Sequence, residues 1–171
     1  TMGKEFYIWE GIYTSFNEAS IEAIGPGFSG DIYRKRSVDV ANECLVALKN
    51  NKPIPSFHKQ RSSVLSPVVT MMLKDRNVLK ILDLGGGLGI GYMTLLENVI
   101  DTIADIQYEI VEVPEVCKAG NTLFSDMNGI RYYESLPLNK KYDIVHSSST
   151  LQYIENWQEA LQTLSEYRSE Y

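Results

Sequence analysis

The sequence predicts an α/β fold built on a parallel β-sheet, and three observations support this. An apolar run over 78–82 leads into a glycine-rich turn and then into a helical pattern. A second run, 106–113, is rich in β-branched and aromatic residues and precedes Pro114, a residue that favours the first turn of a helix. Two further strands are predicted over 130–134 and 142–147. Strands that alternate with helices pair in parallel, so these four should form one sheet.

The turn after the first strand is exceptionally rich in glycine, at Gly85, Gly86, Gly87, Gly89 and Gly91. Glycines let the bare backbone approach a ligand, and the helix that follows adds its positive N-terminal end. The dinucleotide fingerprint Gly-x-Gly-x-x-Gly/Ala is not satisfied, because its third position falls on Ile90 or on Tyr92. Another form of nucleotide binding, or simply a tight turn, stays open on this evidence.

The spacing Asp83-x-Gly85-x-Gly87-x-Gly89 resembles the first motif of class I S-adenosylmethionine-dependent methyltransferases. The resemblance implies a Rossmann-like class I methyltransferase fold and S-adenosylmethionine as the cofactor. In that family the acidic residue, here Asp83, orders the loop near the amino acid moiety of the cofactor. The cofactor-binding candidates that follow from this motif are Asp83, Gly85, Gly86, Gly87 and Gly89.

The second predicted strand ends near Glu112, 23 residues after Gly89. In a β-α-β unit this spacing places a carboxylate beside the glycine turn, where it could accept hydrogen bonds from both hydroxyls of a ribose. We expect Val113, the next residue, to pack against the adenine. The string VEVPEV over 111–116 also resembles the acidic-x-Pro segment of small-molecule O-methyltransferases. The alternative is that Glu112 is only a solvated strand end.

The fourth predicted strand and its exit, 142–153, resemble the fourth motif of class I methyltransferases. The matching residues are Asp143, Val145, Leu151 and Tyr153, with Gln152 where a histidine often stands. In the family this loop flanks the transferred methyl group, so Ser147, Ser148 and Gln152 are candidate cleft residues. An ordinary serine-rich loop is the alternative. We expect His146 to be a hydrogen-bonded core residue, with a role as a base as the alternative.

The string over 9–19, together with LDLGGGLG over 82–89, resembles a poorly characterised family of bacterial methyltransferases. Many members are encoded near surface-polysaccharide genes. This resemblance implies the same fold and cofactor, and little about the methyl acceptor.

The helical pattern predicts two parts, an N-terminal helical cap over 1–76 and an S-adenosylmethionine-binding domain over 77–171. The cap should contain a helix over 15–23 with Ser15 as N-cap, a long helix from Ser29 or Asp31 to Lys49, and a helix over 60–74 that bends at Pro67. Three aromatic residues near its start could form a lid over the cleft: Trp9, Tyr13 and Phe16.

Composition argues against several partners. The chain has 171 residues and a formal net charge of −6, with one short basic run over 34–36, so we expect no nucleic-acid partner. No apolar stretch is long enough to predict a membrane span, and no signal peptide is recognised, so a cytoplasmic location is expected. Cys44 and Cys117 are expected to be free thiols, and the two histidines show no metal-ligand spacing.

The family resemblance implies strand order 3-2-1-4, which the short link from Glu134 to Tyr142 must permit. The link crosses a diagonal of about 22 Å, and its eight steps extend to at most about 27 Å, so the crossing is taut and holds no full helix. Strands five to seven of the family's sheet are absent, because the chain stops at Tyr171. The fourth strand should therefore be an exposed edge, and we expect a homo-oligomer formed through this edge and the last helix.

Two function hypotheses follow. The first is an enzyme that transfers a methyl group from S-adenosylmethionine to the oxygen or nitrogen of a small molecule, for instance a sugar. The second is a truncated or non-catalytic S-adenosylmethionine-binding module that acts through a partner. A nucleotide-binding oxidoreductase is disfavoured by the glycine spacing. The sequence names no catalytic base.

Overall fold

The computed structural model describes residues 11–23, 31–59, 64–99 and 105–167. The helices in these ranges are α1 (Phe16–Glu22), α2 (Asp31–Lys49), α3 (Ser56–Lys59), α4 (Leu65–Met72), α5 (Ile90–Asn98), α6 (Pro114–Leu123) and α7 (Trp157–Glu166). The strands are β1 (Val78–Leu84), β2 (Asp105–Val111), β3 (Ile130–Tyr133) and β4 (Ile144–Ser147). No helix in these ranges is long and apolar enough to cross a membrane.

The four strands form one parallel sheet in the order β3-β2-β1-β4, which confirms the predicted order. The register places the Cα of Asp83, near the end of β1, between those of Ile110 on β2 and His146 on β4. The carboxyl ends of the three strands therefore meet at one edge of the sheet. Among the described residues, β4 is an edge strand with β1 on one side, also as predicted.

Each face of the sheet packs against its own set of helices. On one face, Ile81, Tyr108 and Ile110 share a core with side chains of α2, α4 and α5. On the other face, Leu82 and Leu84 pack with Leu164 of α7. Alternate residues of each strand thus bury toward opposite layers, as expected for interior parallel strands. The division of the chain at residue 76 stays a prediction, although α2 and the sheet share one core.

The prediction that Ser15 is the N-cap of the first helix is confirmed. Ser15 caps α1, its Oγ accepting from the Glu18 amide at 3.1 Å. The Glu18 carboxylate in turn accepts from the amide and hydroxyl of Thr14. Tyr13 and Phe16 are 38% and 41% exposed, whereas Trp9 lies outside the described residues, so the lid stays a prediction.

Several predicted boundaries are wrong by one or more residues. The predicted bend at Pro67 is wrong. Because α4 begins at Leu65, Pro67 lies in the first turn of the helix, where no backbone N–H is required. The short helix α3 falls between the helices predicted to end at Lys49 and to begin at residue 60. β2 ends at Val111, which leaves Glu112 and Val113 outside the ladder. β4 begins at Ile144, because the Asp143 carboxylate accepts from Lys80 N and pairs with Arg76 at the amino ends of the strands.

The link between β3 and β4 contains no helix, as predicted, and a cluster around Glu109 anchors it to the sheet. The Glu109 carboxylate accepts from Lys140 Nζ at 2.9 Å and from the Tyr142 hydroxyl at 2.5 Å. Lys140 also donates to the Tyr133 hydroxyl at 2.7 Å and lies 4.4 Å from the centre of its ring. The Glu109 side chain is 12% exposed, so it depends on these donors for its solvation.

We predict that Lys140→Met lowers the free energy of unfolding by about 1–3 kcal/mol, because a largely buried carboxylate loses its charged donor. Urea denaturation at neutral pH measures the change. Lys118→Met removes the same charge from an exposed position on α6 and should cost less than about 0.5 kcal/mol. Equal losses in the two variants would contradict the anchoring role.

The same cluster predicts a pH dependence. Burial alone would raise the pKa of the Glu109 carboxyl, but hydrogen bonds from Tyr142 and Lys140 outweigh burial and lower it. A lowered pKa stabilises the fold above the unfolded-state value, about 4.3, and this contribution is lost as the pH falls through the folded-state pKa. The stability difference between wild type and Lys140→Met should therefore shrink below about pH 4. A difference that persists undiminished to about pH 3 would refute this.

Candidate functional site

The predicted site residues meet at the carboxyl edge of the sheet. Asp83 lies near the end of β1, Glu112 directly follows β2, and Ser147 ends β4. Open α/β sheets bind their ligands at this edge. The structure therefore brings the three predicted motifs together, and the glycine turn, residues 85–89, lies between them.

The glycine turn requires glycine at several positions. Gly85, Gly87 and Gly89 have φ angles of 75°, 56° and 71°, in the left-handed region that favours glycine. A Cβ on Gly85 would clash with Thr150, whereas a Cβ on Gly87 would meet nothing within 4 Å. Gly87 thus borders open space, and a side chain there would fill it.

Some backbone amides of the glycine turn donate to protein acceptors, and others are available to a ligand. Gly85 N donates to the carbonyl of Val111 at 2.9 Å, which ties the turn to the end of β2. In the part of the chain that the structure describes, the amides of Gly86 and Leu88 donate to no protein acceptor. These amides precede the N-terminus of α5, which begins at Ile90, so the region offers donors and a positive helix end to a ligand.

Glu112 faces the turn across the end of β2. Its Oε1 accepts from Gly87 N at 3.1 Å, and its Oε2 accepts from Val113 N at 2.9 Å. Each carboxylate oxygen keeps a further lone pair for a ligand hydroxyl. Glu112 is half-buried and Val113 is 43% exposed, so both remain open to a ligand from the solvent side. The Glu112 carboxylate is thus bonded to the turn, and its role toward a cofactor stays a prediction.

Asp83 lies beneath the turn and is 3% exposed. Its Oδ2 accepts from the Tyr108 hydroxyl of β2 at 2.6 Å, and its Oδ1 lies 2.8 Å from His146 Nδ1 of β4. A Cβ on Gly86 would clash with the same carboxylate. Asp83 therefore supports the turn from below, and its role toward a cofactor stays a prediction.

The charge on Asp83 perturbs both of its partners. Its hydrogen bond to His146 raises the pKa of that imidazole above the ordinary value, although burial acts in the opposite direction. Burial, followed by the negative charge of Asp83, raises the pKa of the Tyr108 hydroxyl well above its usual range. Tyr108 therefore stays a neutral donor, and the imidazole is held beside a carboxylate.

The loop after β4 folds against the glycine turn. Ser147 Oγ donates to the carbonyl of Leu84 at 3.1 Å, and Thr150 Oγ1 donates to the carbonyl of Ser148 at 3.2 Å. Thr150 also packs against Gly85. Gln152 is exposed in a 3₁₀ turn over Leu151–Tyr153, and within the described ranges its side chain makes no hydrogen bond to the glycine turn. The role of Ser147 and Ser148 as cofactor residues stays a prediction.

Sequence reasoning missed two residues of this site. Tyr108 looked like one of several aromatic strand residues, although a hydroxyl on an interior strand indicates a buried partner. Thr150 looked like part of a polar loop. Cys44 and Cys117 are buried thiols that form no disulfide bond. No group of three His, Cys, Asp or Glu side chains within the described ranges could hold a metal ion.

Comparisons with known proteins identify the fold of this chain through solved structures. No protein-family model and no curated protein matches the chain. The plantazolicin methyltransferase BpumL, solved in complex with SAH, is 19% identical with a TM-score of 0.51; the match covers 83% of this chain and 51% of that one. The SAH-bound methyltransferase PaMTH1 of Podospora anserina is 16% identical with a TM-score of 0.46, over 94% of this chain and 70% of that one.

The chain therefore spans about half the length of BpumL. At this identity the likeness shows the fold alone. Together with the strand order β3-β2-β1-β4, it shows that the described residues form a Rossmann-like sheet of the methyltransferase type.

Proposed function

We propose that this chain binds S-adenosylmethionine at the carboxyl ends of β1 and β2 and takes part in methyl transfer. The observation that carries the proposal is the pairing of the open glycine turn with Glu112, whose carboxylate reaches Gly87 N from the end of the neighbouring strand. The structure of BpumL with SAH supports the same ligand class.

The residues present fit this cofactor. Gly87 leaves space that a Cβ would fill, and two amides of the turn are without protein acceptors in the described part of the chain. Glu112 would hold the ribose hydroxyls, Val113 would pack on the adenine, and the turn above Asp83 would face the amino acid moiety. The bound cofactor would supply an electrophilic methyl group, and the protein would contribute alignment of an acceptor with it.

The acceptor in this proposal is a small molecule with a reactive oxygen or nitrogen, such as a sugar, and neither nucleic acid nor a membrane is a partner. The net charge of −6 supports the exclusion of nucleic acid.

The proposed cytoplasmic location rests on the sequence alone. The alternative of a binding module that acts through a partner stays a hypothesis, and the chain spans about half the length of BpumL.

Glu112→Ala should weaken the binding of S-adenosylhomocysteine at least about tenfold, because two hydrogen bonds of about 1.5–3 kcal/mol each are lost. Titration calorimetry measures the affinity. The matched control is Glu115→Ala, which removes an exposed carboxylate from the first turn of α6 and should bind as wild type does. Wild-type affinity in Glu112→Ala would disprove the assignment. A thermal shift with NAD and none with S-adenosylhomocysteine would favour the oxidoreductase alternative.

Gly87→Asn should also weaken binding at least about tenfold, since a side chain would occupy the open space at the turn. Asparagine is chosen because it tolerates a left-handed φ better than other residues with a Cβ, so the fold should persist. The melting temperature serves as the control for folding. Normal affinity in a folded Gly87→Asn protein would show that the ligand does not approach this turn.

We also propose that a second copy of the chain covers the β4 edge and α7. Trp157 and Leu161 of α7 are 46% and 41% exposed, and β4 has a free edge among the described strands. Sedimentation should show a dimer or larger assembly at micromolar concentration, and Leu161→Glu should weaken it more than Gln162→Glu, an exposed control. A wild-type monomer that melts cooperatively at high temperature would contradict the assembly.

A further inference from the structure

One polar cluster at the site is only partly explained by cofactor binding: the chain of hydrogen bonds from Tyr108 through Asp83 to His146. It crosses three neighbouring strands, from the middle of β2 to the carboxyl-terminal halves of β1 and β4, with contacts of 2.6 Å and 2.8 Å. Asp83 is nearly inaccessible, at 5% side-chain exposure, whereas the His146 side chain is 22% exposed. The cluster thus runs from a buried hydroxyl to a partly accessible imidazole.

The position of the Asp83 carboxylate determines which ring nitrogen of the neutral His146 imidazole carries the proton. An ionised carboxylate only accepts hydrogen bonds, so in the neutral ring Nδ1 carries the proton and Nε2 keeps its lone pair. Among the described residues, Nε2 of His146 has no hydrogen-bond partner. Because Nδ1 contacts a buried carboxylate, the accessible part of the ring lies away from Asp83. An aspartate that fixes a tautomer in this way orients histidines for proton transfer.

We propose that His146 is the general base for the methyl acceptor, with Asp83 as its positioning residue, and that the acceptor group is therefore a hydroxyl. This inference rests on the proposed function and deepens it, because a hydroxyl must lose a proton when it is methylated. His146 immediately precedes Ser147 and the loop that packs on the glycine turn. The chain's other histidine, His58, lies in α3 beside Glu43.

The step balances as follows. The acceptor oxygen forms a bond to the methyl carbon while the bond from that carbon to sulfur breaks, and its electron pair stays on sulfur as a neutral thioether. The hydroxyl proton passes to Nε2 of His146. The imidazolium that results is stabilised by the Asp83 carboxylate, and the proton then leaves to solvent. General bases of this kind contribute about 10²–10⁴ in rate.

The charges around His146 suit this role. Asp83 on β1 acts directly on the ring, Tyr108 on β2 is a neutral donor to Asp83, and Tyr132 on β3 is buried and also kept neutral by its raised pKa. Asp83 raises the pKa of the free imidazole, so the ring binds a proton more readily. A sulfonium nearby would lower that pKa and leave the ring unprotonated when the methyl donor is bound.

The test uses nitrogen-15 NMR of the two histidine rings across a pH titration, with S-adenosylmethionine or with S-adenosylhomocysteine bound. Calorimetry on the same samples establishes binding, and His146→Gln assigns the signals. The neutral His146 ring should be protonated at Nδ1. The titration midpoint of His146 should lie at least about half a pH unit lower with S-adenosylmethionine than with S-adenosylhomocysteine. Repulsion between two unit positive charges about 6 Å apart produces a shift of this size even at the dielectric constant of water. His58, as internal control, should titrate equally with both ligands.

Equal His146 midpoints while both ligands bind would overturn the base assignment and leave the proposed function in place. A neutral ring protonated at Nε2 would overturn it as well, because the lone pair would then face Asp83. If neither ligand binds to folded protein, the proposed function fails and the base assignment fails with it.

Discussion

The buried carboxylate of Asp83 is the contact on which the site depends. A charge that is 3% exposed is costly unless neighbouring groups solvate it. Tyr108 and His146, from the two strands that flank β1, supply those hydrogen bonds. They fix the Asp83 side chain between β2 and β4, and the glycine turn begins two residues after Asp83.

The remaining residues of the site pack against Asp83 or against the glycine turn above it. Gly86 rests on Asp83, Gly85 is bonded to the end of β2, and Thr150 closes over Gly85 from the loop after β4. Glu112 then reaches the turn from the opposite side. Three loops from three strands are thereby bonded to one another by protein contacts, and a preformed site lowers the ordering that binding requires.

Much of this arrangement could be predicted from local sequence, because a strand, a glycine turn and a helix can each be recognised from a short run of residues. The order of the strands followed from the family resemblance and from the reach of the short link. The sequence could not show which donors satisfy Asp83, since Tyr108 and His146 are 25 and 63 residues away from it. The Glu109 cluster was missed for the same reason. Pro67 was misread because a proline in a first helical turn and a proline in a helix interior look alike until the helix start is known.

The central claim is that the glycine turn and Glu112 together form the cofactor site. A crystal structure of this chain grown with S-adenosylhomocysteine tests it most directly. We expect the ribose hydroxyls within hydrogen-bond distance of the Glu112 carboxylate and the ligand against residues 85–89. Ligand density at another place, or an intact turn with no ligand at millimolar concentration, would contradict it.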